Sequence, residues 1–167
     1  MRKFARFAVT FLSLCLSMVA LQAHAADLRT ISKPSEIAPL FPAAAKLRVV
    51  NVWAMWCAPC VAEMPDFRTM DATFGSEVAF VGVNMDDMLP QASPQPVKAF
   101  LDKQKIAFPN VYYKGNADAL GKYLKFDGSL PFTIVFDDKG KELWRHDGSI
   151  DREKMIAKLR DLLRRKS

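Results

Sequence analysis

Two cysteines three residues apart, Cys57 and Cys60, stand where an apolar run gives way to a helical pattern. Residues three apart at the start of a helix share one face, with Cα atoms roughly 5 Å apart, inside the window of about 4.4–6.8 Å that a disulfide needs. The pair can therefore close and open without refolding the chain. The spacing of the two cysteines is typical of a redox-active dithiol.

The position of the two cysteines on the predicted helix gives them different roles. Cys57 lies at the N-terminus, where unpaired N–H groups and the helix dipole favour an anion, so we expect it to be the nucleophile. Cys60, one turn inside, is expected to stay shielded until a mixed disulfide forms and then to attack Cys57 as the resolving cysteine. Trp56 is expected to form an apolar rim that substrate crosses, while Trp53 lies in the core and Asn51 has a structural role.

Glu63 follows Cys60 by three residues and so projects from the same face of the predicted helix. A carboxylate in that position opposes thiolate formation. The alternative is a solvated glutamate of the first turn that complements the helix dipole.

The first 25 residues have the pattern of a secretory signal. A basic start with Arg2, Lys3 and Arg6 precedes an uncharged run from residue 7 to residue 21 and the small-residue triplet 23–25. We expect cleavage before Ala26, which leaves one domain over residues 26–167. An uncleaved membrane anchor is the alternative, although the run is shorter than the about 20 residues of a comfortable span. Either outcome predicts an exported, periplasmic protein, and an anchored one would sit on the periplasmic side of the inner membrane.

Composition excludes several classes of protein. The signal carries three of the 24 basic and none of the 18 acidic residues, so the mature chain has a net charge of +3. Its basic C-terminal cluster suits a helix end, and no nucleic-acid partner is expected. Cys15 leaves with the signal, and a single remaining pair is not a disulfide scaffold. We expect a monomer with no metal or other cofactor.

The elements that position the dithiol alternate along the chain. Residues 47–54 form a nearly continuous apolar run, typical of a central strand covered on both faces, and a helix is predicted from 58 to about 74. The other expected elements are a strand at 28–30; a short helix at 34–40 capped by Ser32; a strand at 78–83; a loop at 85–96; helices at 97–105 and 115–123; strands at 110–113, 132–136 and 141–145; and an amphipathic last helix. This order predicts an α/β fold, a mixed sheet covered by helices on both faces.

The run Asn51 to Pro65, with W-C-A-P-C followed by E-M-P, resembles the TlpA/ResA-like thioredoxins. Val81 to Asn84, Leu130-Pro131, the turn at 137–140 and the final helix extend the resemblance over most of residues 45–165. Phe132 stands where the family usually has a threonine, and the segment before the central strand lacks the family's common hairpin.

The resemblance implies a thioredoxin-like fold and a protein disulfide oxidoreductase. In such proteins Glu63 is a partly buried acid that tunes the thiols and carries the resolving proton. Leu130 and Pro131 are joined by a cis peptide that faces the dithiol and lets the Leu130 backbone pair with substrate. The implied partners are protein disulfides in apocytochromes c or copper-delivery proteins, and a membrane protein that donates electrons.

The direction of electron flow follows from the residues between the cysteines. A strongly oxidising dithiol needs a heavily stabilised thiolate. Ala58-Pro59 offers no such stabiliser, so we predict a reductase, with an oxidase or isomerase as the alternative.

A third hypothesis is a Cu(I)-binding module. The pattern Met55-x-Cys57-x-x-Cys60 also matches the motif of copper chaperones, and two thiolates can hold Cu(I). Pro59 and Trp56 crowd that site. Asp86 and Asp87, flanked by methionines, allow at most a weak copper or calcium site and are more typical of a solvated turn.

Overall fold

The computed structural model describes residues 26–165, so the predicted signal at 1–25 lies outside the described residues. Six strands form one sheet in the order β1-β4-β3-β2-β5-β6. The strands are β1 Leu28–Ile31, β2 Leu47–Trp53, β3 Val78–Asn84, β4 Asn110–Tyr113, β5 Phe132–Asp137 and β6 Glu142–Asp147. The helices are α1 Ala58–Phe74, α2 Pro94–Gln104, α3 Ala117–Leu124 and α4 Arg152–Arg164.

The sheet is mixed, as predicted. Strands β1 to β4 pair in parallel, whereas β5 runs antiparallel to both β2 and β6. Strand β2 lies in the middle, and six of its seven residues are buried because helices cover both faces of the sheet. This central position directs the end of β2 into the turn that carries the cysteines.

The two faces can be assigned from alternating residues of β2. Trp53 packs against Phe100 of α2, with ring centroids 5.7 Å apart, and α1 is linked to α2 by the Arg68 guanidinium donating to the Gln104 carbonyl. Arg48 and Val50 point to the opposite face, where α3 lies. Helix α4 packs on α1, with Met155, Ile156, Leu159 and Leu162 of its predicted apolar stripe buried.

Two local expectations were wrong. The segment 34–40 forms two 3₁₀ turns, Pro34–Glu36 and Ala38–Leu40, in place of one helix. Ser32 does not cap it; the Glu36 carboxylate accepts the Ser32 and Lys33 N–H groups. A second proline at 39 removes a donor that a continuous helix would use.

Helix α2 begins at Pro94, three residues before the predicted start, because prolines in a first turn lack only N–H groups that have no helical partner. No helix within residues 26–165 has both the length and the apolar character needed to cross a membrane.

Candidate active site

Cys57 and Cys60 are joined by a disulfide at the N-terminus of α1, with Cα atoms 5.3 Å apart. Cys57 is the N-cap residue, and its sulfur accepts the Cys60 N–H at 3.3 Å. Cys57 is 6% exposed and Cys60 is fully buried. Of the two sulfurs, that of Cys57 is therefore the nearer to solvent and the one that faces the unpaired N–H groups of the helix.

The turn that carries the cysteines is held from the β3 side by Asp86. Its carboxylate accepts the Met55 N–H, at 3.0 Å to Oδ1 and 3.2 Å to Oδ2, and the Asn84 side-chain amide at 2.9 Å. Asp86 is 6% exposed, so the expectation of a solvated turn was wrong for this residue. Among residues 26–165 no cluster of three or more potential metal ligands is found.

Glu63 is buried, at 4% exposure, and is not a solvated residue of the first turn. Its Oε1 accepts the Asn51 side-chain amide and its Oε2 accepts the Ile150 N–H, both at 3.1 Å. The pKa of Glu63 is raised from 4.5 to about 7, chiefly by burial and to a smaller extent by the charge of Asp66, against the lowering effect of these two hydrogen bonds. A group with that pKa exchanges protons readily near neutral pH.

Pro131 and Leu130 lie beside the end of β2. Val52 pairs with Phe132, so the residue before Phe132 stands next to the strand end that leads to Cys57. The Leu130-Pro131 peptide is cis, as the resemblance implied. Pro131 is buried and its carbonyl accepts the Gly148 N–H, while Leu130 is half-buried.

A groove of about 690 Å³ runs beside the dithiol turn. Trp56, at 49% exposure, and Leu130 line it together with Met85, Met88 and Phe126. The structure thus brings Trp56 and Leu130, two of the three expected substrate-binding residues, to one groove, while the buried Pro131 does not line it. Trp53 is fully buried and donates to the Asn110 side chain, which confirms its assignment to the core.

Sequence reasoning missed how Asn51, Asp86 and the Ile150 N–H serve the site. A polar residue inside an apolar strand was the available signal for Asn51. For Asp86 the signal was its place directly after a buried strand, two residues beyond Asn84. Nothing in the sequence marks the Ile150 N–H, since a backbone group has no residue signature.

Comparisons with known proteins agree with this arrangement. The Redoxin family matches residues 40–163. The thioredoxin-like protein YneN of Bacillus subtilis is 31% identical over 138 residues, covering 83% of this chain and 76% of YneN. The thiol:disulfide interchange protein HelX of Rhodobacter capsulatus is 31% identical over 121 residues, covering 71% of this chain but only 61% of HelX.

Among solved structures, a thiol-disulfide isomerase from Corynebacterium glutamicum has a TM-score of 0.62 at 25% identity, over 72% of this chain and 83% of that one. The dithiol, the buried glutamate and these similarities all indicate thiol-disulfide chemistry. The chain belongs to the Redoxin family and is a TlpA/ResA-like thiol-disulfide oxidoreductase of the thioredoxin superfamily.

Proposed function

We propose that this protein is an exported reductase of protein disulfides, with residues 1–25 as its signal and residues 26–167 as its one domain. Cys57 is the nucleophile, Cys60 the resolving cysteine and Glu63 the group that takes the resolving proton. The observation that carries the proposal is the buried Glu63 carboxyl, one turn beyond Cys60 on α1, with a pKa raised to about 7.

The reaction consumes the reduced protein. The Cys57 thiolate attacks one sulfur of the client disulfide, and the other client sulfur leaves as a thiolate. Cys60 then gives its proton to the Glu63 carboxylate and attacks Cys57 Sγ, which releases the second client thiolate. The client gains two electrons, and the protein is left with the Cys57–Cys60 disulfide seen in the structure.

The surroundings of the sulfurs support the reductive direction. The only hydrogen bond given to Cys57 Sγ within residues 26–165 comes from the Cys60 N–H at 3.3 Å. Ala58 and Pro59 between the cysteines add no positive charge, and an ionised Glu63 disfavours a second anion nearby. The reduced form is therefore not unusually stabilised, which is the property of a reductant. A membrane protein that donates electrons must regenerate it in the oxidising periplasm.

The client surface is the groove that contains Trp56 and Leu130. An extended segment beside a client disulfide pairs with the Leu130 backbone, and its apolar side chains lie against Trp56, Met85 and Met88. Apocytochromes c and copper-delivery proteins for oxidase assembly are the client classes that the family resemblance implies.

The reduction potential tests the direction. The full chain is expressed, recovered from the exported fraction and equilibrated with glutathione and dithiothreitol buffers, and free thiols are trapped. We expect a potential at or below the glutaredoxin range of about −200 to −230 mV. A value at or above that of protein disulfide isomerase, about −180 mV, contradicts the proposal in favour of an oxidase or isomerase. A Cys60→Ser variant, which cannot form the internal disulfide, is the control, and the mass of the recovered protein shows whether residues 1–25 were removed.

A further inference from the structure

Asn51 is the side chain through which the central strand reaches Glu63. It is 3% exposed and lies on β2, where its register partners are Thr133 on β5 and Gly82 on β3. Its Nδ2 donates to Glu63 Oε1 at 3.1 Å and to Thr133 Oγ1 at the longer distance of 3.4 Å. No hydrogen-bond donor within residues 26–165 reaches its buried Oδ1.

This pattern suits the ionised form of Glu63. Both carboxylate oxygens act as acceptors, one from the Asn51 amide and the other from the Ile150 N–H. Once Glu63 is protonated, one oxygen becomes an O–H donor and requires an acceptor. Asn51 Oδ1 is an acceptor without a partner, and a half turn of the amide exchanges its position with that of Nδ2.

The observed orientation of the amide does not satisfy every atom. With Nδ2 toward Glu63, the buried Oδ1 lacks a donor. The cost of that unpaired atom counts against this orientation, so complete hydrogen bonding does not hold the amide in it.

We propose that Asn51 is a positioning residue that pairs with both protonation states of Glu63, donating to the carboxylate and accepting from the carboxylic acid after its amide turns over. It thereby holds the Glu63 carboxyl in one place while the proton from Cys60 arrives and leaves. The inference rests on the proposed role of Glu63 as the acceptor of that proton.

The charged groups around Glu63 are few. Asp66, one turn along α1, acts to raise the pKa of Glu63, and Arg152 of α4 lies 3.2 Å from Asp66 and offsets part of its charge. Asp151 is engaged with the Lys154 N–H at 3.0 Å. The residues that β2 and β5 present here, Asn51 and Thr133, are neutral, so a change at Asn51 alters hydrogen bonding without altering charge.

The test is an NMR titration of the full chain in its oxidised form, following the Glu63 carboxyl carbon and the Asn51 side-chain amide. In the wild type we expect the Asn51 amide signals to change with the same midpoint as Glu63. Asn51→Leu, of similar size, should raise the pKa of Glu63 by about one unit or more, because a hydrogen bond to the charged form is stronger than one to the neutral form. Thr133→Val, which removes the 3.4 Å contact, is the matched control and should shift that pKa by only a few tenths.

Two results would overturn the inference: Asn51 amide signals that stay constant while Glu63 titrates, or equal pKa values in Asn51→Leu and Thr133→Val. The first needs no variant and survives poor folding of Asn51→Leu. The rate at which Cys60 resolves a mixed disulfide, measured against pH, separates this inference from the proposed function. If Glu63→Gln leaves that rate unchanged, the role of Glu63 in resolution fails, whereas the titration still decides whether Asn51 pairs with it.

Discussion

Two buried carboxylates belong to the candidate site, Asp86 after β3 and Glu63 on α1, and their asparagine partners differ. Asp86 and Asn84 bond reciprocally, because the Asn84 amide donates to Asp86 Oδ2 at 2.9 Å and Asn84 Oδ1 accepts the Asp86 N–H at 3.1 Å. Glu63 is met by Asn51, whose Oδ1 is unpaired among the described residues. Both the nitrogen and the oxygen of the Asn84 amide are engaged with Asp86, whereas the Asn51 amide keeps one acceptor for the protonated form of Glu63.

The donors also come from different distances along the chain. Asp86 is bonded within its own loop and to Met55, which stands two residues before Cys57. Glu63 depends on Asn51 of β2 and on the Ile150 N–H between β6 and α4. We infer that Asp86 stabilises the turn before the cysteines. The position of the Glu63 carboxyl relative to the resolving cysteine depends instead on the packing of the sheet and of α4.

Replacing Asp86 should have the largest effect, on stability. Asp86→Ala leaves the Met55 N–H and the Asn84 amide without their buried acceptor. Each lost hydrogen bond to a charged group costs about 1.5–3 kcal/mol, so we expect the free energy of unfolding to fall by about 4 kcal/mol. Urea unfolding at pH 7, followed by far-UV circular dichroism, measures this fall.

Asp87 is the matched control for Asp86. It is the adjacent acid, only partly buried, and its ion pair with Lys114 is long at 3.8 Å. Asp87→Ala should therefore cost less than about 1 kcal/mol. Equal losses in the two variants would show that Asp86 is not the anchor of the turn.

Glu63→Gln should remove a pH dependence of stability. Between the unfolded pKa of 4.5 and the folded pKa of about 7 the unfolded chain is ionised while folded Glu63 keeps its proton. The free energy of unfolding therefore falls by about 3 kcal/mol in total as the pH rises through this window, and this contribution is constant above it. Denaturant unfolding of the oxidised protein from pH 4.5 to 8 should show this fall in the wild type and lack it in Glu63→Gln.

Glu77 provides the control for that measurement. Its carboxylate is exposed, and its 2.8 Å ion pair with Lys46 lies at the surface. Glu77→Gln should keep the pH dependence of the wild type. If Glu63→Gln keeps it as well, Glu63 does not hold its proton near neutral pH.

The fold was largely predictable from sequence because its strongest signals are local. The apolar run at 47–53 and the helix Ala58–Phe74 lie where the pattern placed them, since both are covered on the faces that the pattern marks. The errors occur at prolines. Pro94 and Pro96 were taken as loop residues although they occupy the first turn of α2, and prolines at 34 and 39 split one predicted helix into two 3₁₀ turns.

Residue spacing by itself predicted the site only where its residues are close in sequence, whereas Leu130 and Pro131 were placed there by the family resemblance. Cys57, Cys60 and Glu63 share one helix, so their spacing alone places them. The contacts of Asn51 to Glu63, of Asp86 to Met55 and of the Ile150 N–H to Glu63 join residues 12, 31 and 87 positions apart. Such contacts depend on strand register and on how α4 packs against α1, and a single sequence does not specify either.

The smallest expected effect concerns the charge of Asp66. Asp66 raises the pKa of Glu63 through its charge. Asp66→Asn should therefore lower the Glu63 pKa, by about half a unit or less because Asp66 is partly exposed and solvent screens its charge. The carboxyl carbon titration of the oxidised protein measures this change, with Asp71→Asn, one turn farther along α1, as the control. The stability fall between pH 4.5 and 7 should shrink in proportion in Asp66→Asn. A Glu63 pKa that is unchanged or higher in this variant would contradict the role given to the charge of Asp66.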